Sequence, residues 1–231
     1  MKIRILVFDG VDEIDFIGPY EVFRRAAKLA GANHSADASA EVDVRLVTLE
    51  PQAQVTASNG LRFLPDGVLE DTADLLVVPG GGWADRSPRS LYAEVQRGLL
   101  PKKIAALHPR CTILAAVCTG AMALAAAGLL KGRPAVTHRS ALHELRAAGA
   151  QIVEARVVDD GDIVTCGGVT ASIDLALWLV ERNWGAQLST RIAAGMEYTR
   201  NPSLHRSNLA RLGMYHFSVV RIRDGVLLFP D

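Results

Sequence analysis

The sequence predicts one α/β domain in which a mostly parallel sheet carries helices on both faces. Three apolar runs, IRILVF (3–8), DLLVVP (74–79) and TILAAV (112–117), lack polar alternation, as strands buried on both faces do. Helical patterns separate these runs, and alternating strands and helices are typical of parallel sheets. No linker-like stretch or internal repeat divides the 231 residues, so we predict a single domain over 1–231.

Helices are predicted where apolar residues recur at helical spacing between a start and a stop residue. Pro19 marks the first turn of the first helix and Gly31 its end. A second helix begins at Thr119, directly after an apolar strand, and ends before Gly128. The other predicted helices lie within 88–108, 141–149 and 170–185.

Two hairpins complete the predicted elements. The dipeptide Asn59-Gly60 separates QVTAS from LRFLP, and Asp160-Gly161 lies inside RVVDDGDIVTC. Both dipeptides favour the two-residue turns that join antiparallel strands. The remaining segments are two predicted strands, 42–49 and 135–138, and a polar loop, 33–41.

Charge and composition argue against several classes of partner. Lys plus Arg equals Asp plus Glu at 25 each, so neither a nucleic-acid partner nor a membrane surface is expected. The opening MKIRILVFDG is too short in its apolar run for a secretory or membrane segment. Cys111, Cys118 and Cys166 are an odd number without paired spacing, which predicts a cytoplasmic protein with reduced thiols. Without CxxC or HExxH we expect no metal and no cofactor.

The segment AAVCTGAMALAAAGLL holds the most informative cysteine. A free cysteine is usually a buried filler, and we interpret Cys111 and Cys166 in that way. Cys118 differs because it stands between a buried strand and a helix, the position of the nucleophile in strand–nucleophile–helix hydrolases. The N–H groups of that helix favour a thiolate and would lower the pKa of Cys118. Together with the turn formed by Gly80, Gly81 and Gly82, they could hold an oxyanion.

Asp15 is the candidate partner of Cys118. A carboxylate in a turn is usually a cap or a turn former, which is our interpretation of Asp12 and Glu13. Asp15 has apolar neighbours, so burial would raise its pKa and a nearby thiolate would raise it further. Such a pair shares one proton, which suits general acid–base catalysis.

Four segments together resemble the DJ-1/PfpI superfamily. They are FDGVDEIDFIGPYEVF, VVPGGG, VCTGAMALAAAGLLKGRPAVTH and IVTCGGVTASIDLALWLVE, and they follow the superfamily's order over about 3–195. The resemblance implies a flavodoxin-like sandwich, a cysteine on a strained nucleophile elbow and a carboxyl partner from the first turn. It also implies a homodimer, and it leaves about 197–231 as a C-terminal extension.

Within the superfamily, the IDFIGP segment and the CTG elbow resemble the isonitrile hydratase branch. That resemblance makes Cys118 the nucleophile, Asp15 its acid–base partner and Thr119 a hydroxyl donor beside them. It implies a small-molecule substrate and a cofactor-free lyase that hydrates an isonitrile to an N-substituted formamide.

Departures from the branch's pattern concern the pocket that would select the substrate. Ile17 stands where the branch has a hydroxyl residue, and Arg139 follows His138 where it has an aromatic one. Trp83 follows the glycine turn directly. The candidate pocket residues are therefore Ile17, Trp83, His138, Arg139 and Gly168.

Two alternatives stay open at this point. In the first, Cys118 is a non-enzymatic sensor that is oxidised or binds a metabolite. In the second, the chain is a glyoxalase- or amidase-type member of the superfamily. Such members generally have His directly after the nucleophile and Glu in the first turn, where this chain has Thr119 and Asp15.

Overall fold

A single eight-stranded sheet forms the centre of the protein. The computed structural model describes residues 1–32 and 42–207 and two short strands, 221–223 and 226–228. The predicted loop 33–41 lies outside the described residues. The strands of the central sheet are β1 (Lys2–Leu6), β2 (Asp43–Thr48), β5 (Gly67–Val68), β6 (Ala73–Val78), β7 (Cys111–Ala116), β10 (Val157–Asp159), β11 (Ile163–Cys166) and β12 (Leu204–Arg206).

The central sheet is mostly parallel, in the spatial order β12-β10-β11-β7-β6-β1-β2-β5. Among the described pairings of this central sheet, only β10–β11 is antiparallel, and it is the hairpin predicted around Asp160-Gly161. The second predicted hairpin, around Asn59-Gly60, is also present. The strands outside the central sheet form three pairs: β3 (Val55–Thr56) with β4 (Arg62–Phe63), β8 (Pro134–Ala135) with β9 (Gln151–Ile152), and β13 (Arg221–Arg223) with β14 (Val226–Leu228).

Helices cover the sheet in two groups. One group comprises α1, α6 and α7, and the other comprises α2, α3, α4 and α5, with contacts inside each group. Because the crossovers from β1 and from β6 run in opposite directions along the sheet, right-handed connections place their helices on opposite faces. The helices are α1 (Glu13–Ala32), α2 (Leu91–Gln96), α3 (Leu99–Leu107), α4 (Gly120–Ala126), α5 (Leu142–Ala147), α6 (Ala171–Trp184) and α7 (Ala186–Gly195).

The first helix begins six residues earlier than its proline suggested. Helix α1 starts at Glu13, with Pro19 inside it and both Glu13 and Asp15 in its first turn. Proline lacks an N–H group and normally interrupts a helix interior, so it was a misleading start signal here. Asp15 therefore lies on a helix and not in the turn before it.

Other differences have local causes. The helical segment predicted within 88–108 is divided into α2 and α3 because Gly98 adopts a left-handed φ of +73°. The predicted strand 135–138 is reduced to β8, and a short 3₁₀ helix follows at Arg139–Ala141. Helix α7 was not predicted, and it begins directly after Gly185, the glycine that ends α6.

The core forms one contiguous cluster that includes both helical layers. Every residue of β1 after Lys2 is buried, and the last four residues of β7 are buried too. Phe23 and Leu175 from one helix group and Ile104 from the other belong to the same cluster. Among the described residues, no helix combines the length and apolar character needed to cross a membrane.

The junction of β7 with α4 is packed against β6 without room for a side chain at Gly120. A Cβ atom at Gly120 would lie 2.0 Å from the backbone oxygen of Val78. Real Cβ atoms do not approach an oxygen so closely, so the turn after Cys118 requires glycine for steric reasons. This close approach brings the ends of β6 and β7 together at the edge where parallel sheets bind ligands.

We predict that Gly120→Ala destabilises the protein by about 1–3 kcal/mol, although alanine is the better helix former. The added methyl group would push α4 away from β6. Urea unfolding measures the change, and Gly167→Ala is the control because a Cβ at Gly167 meets nothing within 4 Å. Equal stability of the two variants would contradict the steric explanation.

Candidate active site

Cys118 occupies a strained turn between β7 and α4. Its φ is +55°, a left-handed conformation that residues other than glycine rarely adopt. Two hydrogen bonds hold this backbone: Cys118 N–H donates to Gly167 O at 3.1 Å, and Thr137 Oγ1 donates to Cys118 O at 2.8 Å. Strain of this kind persists only where the surroundings enforce it, and it is concentrated at functional sites.

Asp15 is completely buried at the start of α1. Its side chain is 0% exposed, and its Oδ2 accepts a hydrogen bond from Gly80 N–H at 2.9 Å. The other oxygen, Oδ1, has no hydrogen bond of normal geometry within the described residues. Burial, followed by the negative charge of Asp12, raises the pKa of Asp15 to about 7, against the opposing effects of Gly80 and the Cys118 thiol. Asp15 therefore exchanges its proton near neutral pH.

The thiol of Cys118 is protonated at neutral pH, contrary to the expectation of a lowered pKa. Burial, followed by the charge of Asp15, raises the pKa of Cys118 to about 12. The N–H groups of Val169 and Thr119 favour the thiolate but do not outweigh burial in a side chain that is 3% exposed. The thiol thus needs a base to become a nucleophile, and Asp15 is the group beside it.

Three acidic groups converge at this point. Ligand-type atoms of Asp12, Asp15 and Cys118 all lie within 4.8 Å of one another. Such groups can also bind divalent metals, but a metal would have to displace the proton of the Cys118 thiol, whose pKa is raised to about 12, and any proton on Asp15. The arrangement is therefore suited to moving a proton between a carboxylate and a thiol.

Gly80 lets the two functional segments meet. A Cβ atom at Gly80 would lie 2.5 Å from Thr119 Oγ1 and 3.0 Å from Asp15 Oδ2, so both side chains use the space that glycine leaves. Gly81 N–H donates to Thr119 Oγ1 at 3.3 Å.

The glycine turn does not offer the free donors that we expected for an oxyanion. The N–H of Gly80 is bonded to Asp15 and that of Gly81 to Thr119. For Gly82 no such bond to the site is described. The donors that face the sulfur are instead the N–H groups of Thr119 and Val169.

A cavity of about 380 Å³ adjoins the elbow. Val169 lies on its wall and also directs its N–H at the Cys118 sulfur, and Thr137 on the same wall holds the Cys118 carbonyl. The candidates His138, Arg139 and Gly168 all line this cavity. Its wall is formed by Val136, Thr137, His138, Arg139, Leu142, Gly167, Gly168 and Val169.

Two candidate pocket residues lie away from this cavity wall. Trp83 is buried, and its Nε1 donates to Glu144 on α5 at 3.1 Å, so it ties the loop after the glycine turn to that helix. Ile17 lies on α1 and is 37% exposed.

Sequence reasoning missed three contributors to the site. Val169 has a φ of +43°, which no sequence signal predicts for a β-branched residue. Thr137 belonged to a predicted strand, and Asp12 had been interpreted as a turn former.

The fold and site define a class: α/β proteins with a buried cysteine on a strand–helix elbow and a carboxyl partner from the first helix. The family model described as DJ-1/PfpI family matches residues 1–182. The chain belongs to the DJ-1/PfpI family.

Two relatives and one solved structure that are similar to this chain carry different names. Isonitrile hydratase of Pseudomonas putida is 35% identical over 204 residues, which cover 87% of this chain and 80% of that protein. The Parkinson disease protein 7 homolog of Danio rerio is 27% identical over 82% of this chain and 93% of its own length. A crystal structure of a ThiJ/PfpI family protein from Pseudomonas syringae has a TM-score of 0.72 and 26% identity, covering 87% of this chain and 76% of that one.

We predict that Asp15→Asn stabilises the fold above neutral pH. Because folding raises the pKa of Asp15 from 3.8 to about 7, stability falls as the pH rises through this interval and the buried carboxyl ionises. Asparagine stays neutral, so the variant should gain about 2–4 kcal/mol over the native chain at pH 8 and much less at pH 4.5. Urea unfolding at both pH values measures the gain. Asp85→Asn, at an exposed position, should show no such pH dependence. A gain at pH 4.5 as large as at pH 8 would exclude titration of Asp15 as its cause.

Proposed function

We propose that this protein is a cofactor-free, cysteine-dependent hydratase that converts isonitriles into N-substituted formamides. The observation that carries the proposal is the pairing of a buried, proton-exchanging Asp15 with Cys118 on a strained elbow. The 35% identity to isonitrile hydratase of Pseudomonas putida supports the choice of reaction.

In the first step, Cys118 adds across the terminal carbon of R–N≡C. The Asp15 carboxylate takes the thiol proton as Sγ attacks that carbon. Asp15 then returns the same proton to the carbon. The S–H bond is broken, C–S and C–H bonds form, and the product is a thioimidate, R–N=CH–S–Cys118. The N–H groups of Thr119 and Val169 stabilise the thiolate as it develops.

In the second step, water releases the product. The Asp15 carboxylate removes a proton from water as its oxygen attacks the thioimidate carbon, and Asp15 passes that proton to nitrogen. The tetrahedral adduct collapses with cleavage of the C–S bond, and its hydroxyl proton goes to the departing sulfur through Asp15. The formamide R–NH–CHO leaves, and the thiol and carboxylate are restored.

The cavity beside Cys118 favours a substrate with an apolar body and an anionic end. Val136, Leu142 and Val169 supply apolar wall, and Arg139 supplies a positive charge. Within the described residues, the side chain of Arg139 has no hydrogen bond or ion pair. A carboxylate on the substrate would give it a partner.

The alternative functions have less support from the site. A redox sensor needs a thiol that ionises readily, whereas the pKa of Cys118 is raised. A glyoxalase- or amidase-type reaction through a Cys–His pair would need a histidine beside the sulfur. His138 lines the cavity, but its Nδ1 is engaged with Ser140 Oγ at 2.8 Å. A homodimer and a cytoplasmic location stay predictions, and the chain's mass in solution tests the first.

We predict that the native protein forms N-cyclohexylformamide from cyclohexyl isocyanide. Cys118→Ala should abolish turnover because it removes the nucleophile. Asp15→Asn should lose about a hundredfold to ten-thousandfold in kcat, the usual contribution of a general acid–base group. The rate of Thr119→Val should lie between the rates of these two variants and that of the native protein. Thr119→Ser should retain most of the activity that Thr119→Val loses. Chromatography of the formamide measures each rate.

Two results would overturn the assignment. Turnover of methylglyoxal or an amide without any formamide would leave Cys118 as nucleophile but change the reaction. No turnover, together with ready oxidation of Cys118 to sulfinic acid, would favour the sensor.

We predict that Arg139 selects anionic substrates. The native protein should have a higher kcat/KM for 3-isocyanopropanoate than for cyclohexyl isocyanide, and Arg139→Met should reduce that preference about tenfold, mainly through KM. Arg146→Met is the control, since Arg146 is an exposed arginine on α5 that does not line the cavity. If Arg139→Met slows both substrates equally, Arg139 has no part in selection.

A further inference from the structure

Asp12 is a third acidic residue at the site, beside the two that the proposed reaction uses. It precedes α1 directly and is half-buried. One of its carboxylate oxygens lies within 4.8 Å of both an Asp15 oxygen and the Cys118 sulfur. Two carboxylates so close together in a buried site repel one another, so the position of Asp12 requires an explanation.

Three contacts fix Asp12 in this place. Its N–H donates to Gly80 O at 3.0 Å, on the same residue that bonds Asp15. Its carbonyl accepts from Asp15 N–H at 3.2 Å, and its Oδ1 accepts from Ser58 Oγ at 2.7 Å. Ser58 is itself held in place, because its N–H donates a hydrogen bond to the carbonyl of Val11, the residue before Asp12, at 2.9 Å. The hairpin of β3 and β4 thus holds the Asp12 carboxylate beside the pair.

The neighbouring acid on α1 does something different. Glu13 accepts hydrogen bonds from Asn59 N–H at 2.8 Å and Asn59 Nδ2 at 2.7 Å, and it shares the single hydroxyl proton of Ser58 with Asp12, at 3.0 Å from Ser58 Oγ. Although burial acts to raise the pKa of Glu13, the bonds from Asn59 and Ser58 lower it overall. The Glu13 carboxylate binds the hairpin of β3 and β4, and it is not among the causes of the raised pKa of Asp15.

Asp12 supplies the negative charge that acts on the pair. It is the second cause, after burial, of the raised pKa of Asp15, and it also raises the pKa of Cys118. From the β11 side, Cys166 faces the same region, but it is wholly buried and its pKa lies well above the ordinary value, so it remains neutral. Within the described residues, Asp12 is the charged group outside the pair that bears on Asp15.

We propose that Asp12 is a positioning residue for proton transfer: held by Ser58 within 4.8 Å of both groups, its carboxylate favours the protonated form of the Asp15–Cys118 pair. Asp15 can then act as acid and as base at the same pH, which a two-step addition of thiol and water needs. The inference rests on the thiol chemistry proposed for Cys118 but not on the identity of the substrate.

The test measures how fast iodoacetamide alkylates Cys118 between pH 5 and 9 in the full-length protein, read by mass spectrometry. Because Asp15 is the base that frees the thiol, the native rate should rise with a midpoint near the pKa of Asp15, about 7. Asp12→Asn should move this midpoint down by about one pH unit, since it removes the charge but keeps an oxygen for Ser58. Ser58→Ala, which frees the carboxylate from its anchor, should move it part of the way.

Glu13→Gln is the matched control. It removes a carboxylate that contacts the same hairpin, on the residue next to Asp12, but that is not part of the Asp15–Cys118 pair. The alkylation midpoint of this variant should therefore stay at the native value. A shift as large as that of Asp12→Asn would mean that general surface charge sets the midpoint. An unchanged midpoint in Asp12→Asn, or one that persists in Asp15→Asn, would overturn the inference.

The alkylation profile separates this inference from the proposed reaction. If no isonitrile is hydrated but the midpoint shifts as expected, the substrate is wrong and the role of Asp12 holds. If hydration occurs, the low-pH limb of its rate–pH profile should move in Asp12→Asn by the same amount as the alkylation midpoint. Hydration with an unmoved limb would show that Asp12 is a structural residue only.

Discussion

The site depends on the hydrogen bond from Gly80 N–H to Asp15 Oδ2. This bond joins the turn after β6 to the first turn of α1, and Gly80 is also where Thr119, from the elbow after β7, comes closest. Three segments that are far apart in sequence therefore meet at one residue without a side chain. Any side chain there would separate Asp15 from Thr119 and, with them, the carboxyl group from the thiol.

Burial affects the pKa values of Cys118 and Asp15 more than the N-terminus of α4 does. Helix N-termini stabilise thiolates, and two N–H groups do face the Cys118 sulfur. Burial and a neighbouring carboxylate have the larger effect, so the proton stays on the pair. A pair that retains one proton is poorly suited to a permanent thiolate but well suited to adding H and S to the same carbon.

Much of the fold could be predicted from the sequence because its signals are local. The apolar runs of β1, β6 and β7 and the Asn59-Gly60 and Asp160-Gly161 turns are where the structure has them. The start of α1 was misplaced because Pro19 normally marks a helix start, and here tertiary packing keeps it inside the helix. Patterns along the chain indicated Cys118 and Asp15, but Val169 and Thr137 reach the elbow only through three-dimensional packing. Asp12 escaped notice because its surroundings, not its residue type, distinguish it from Glu13.

The residue after Cys118 explains why carboxylates dominate this site. Where histidine follows the cysteine, an imidazole can hold the thiol's proton and leave an ion pair. Here Thr119 follows, whose hydroxyl is not a base near neutral pH, and its oxygen accepts a hydrogen bond from Gly81 N–H at 3.3 Å. The proton of Cys118 can then pass to Asp15, one of the two carboxylates near the sulfur, whose affinity for it must be raised to work near neutral pH. Complete burial raises that affinity, and the fixed charge of Asp12 raises it further. The carboxylates at the start of α1 and the threonine of the elbow therefore belong together. Without a histidine directly after Cys118, a carboxyl group of raised pKa is needed to exchange a proton with the thiol.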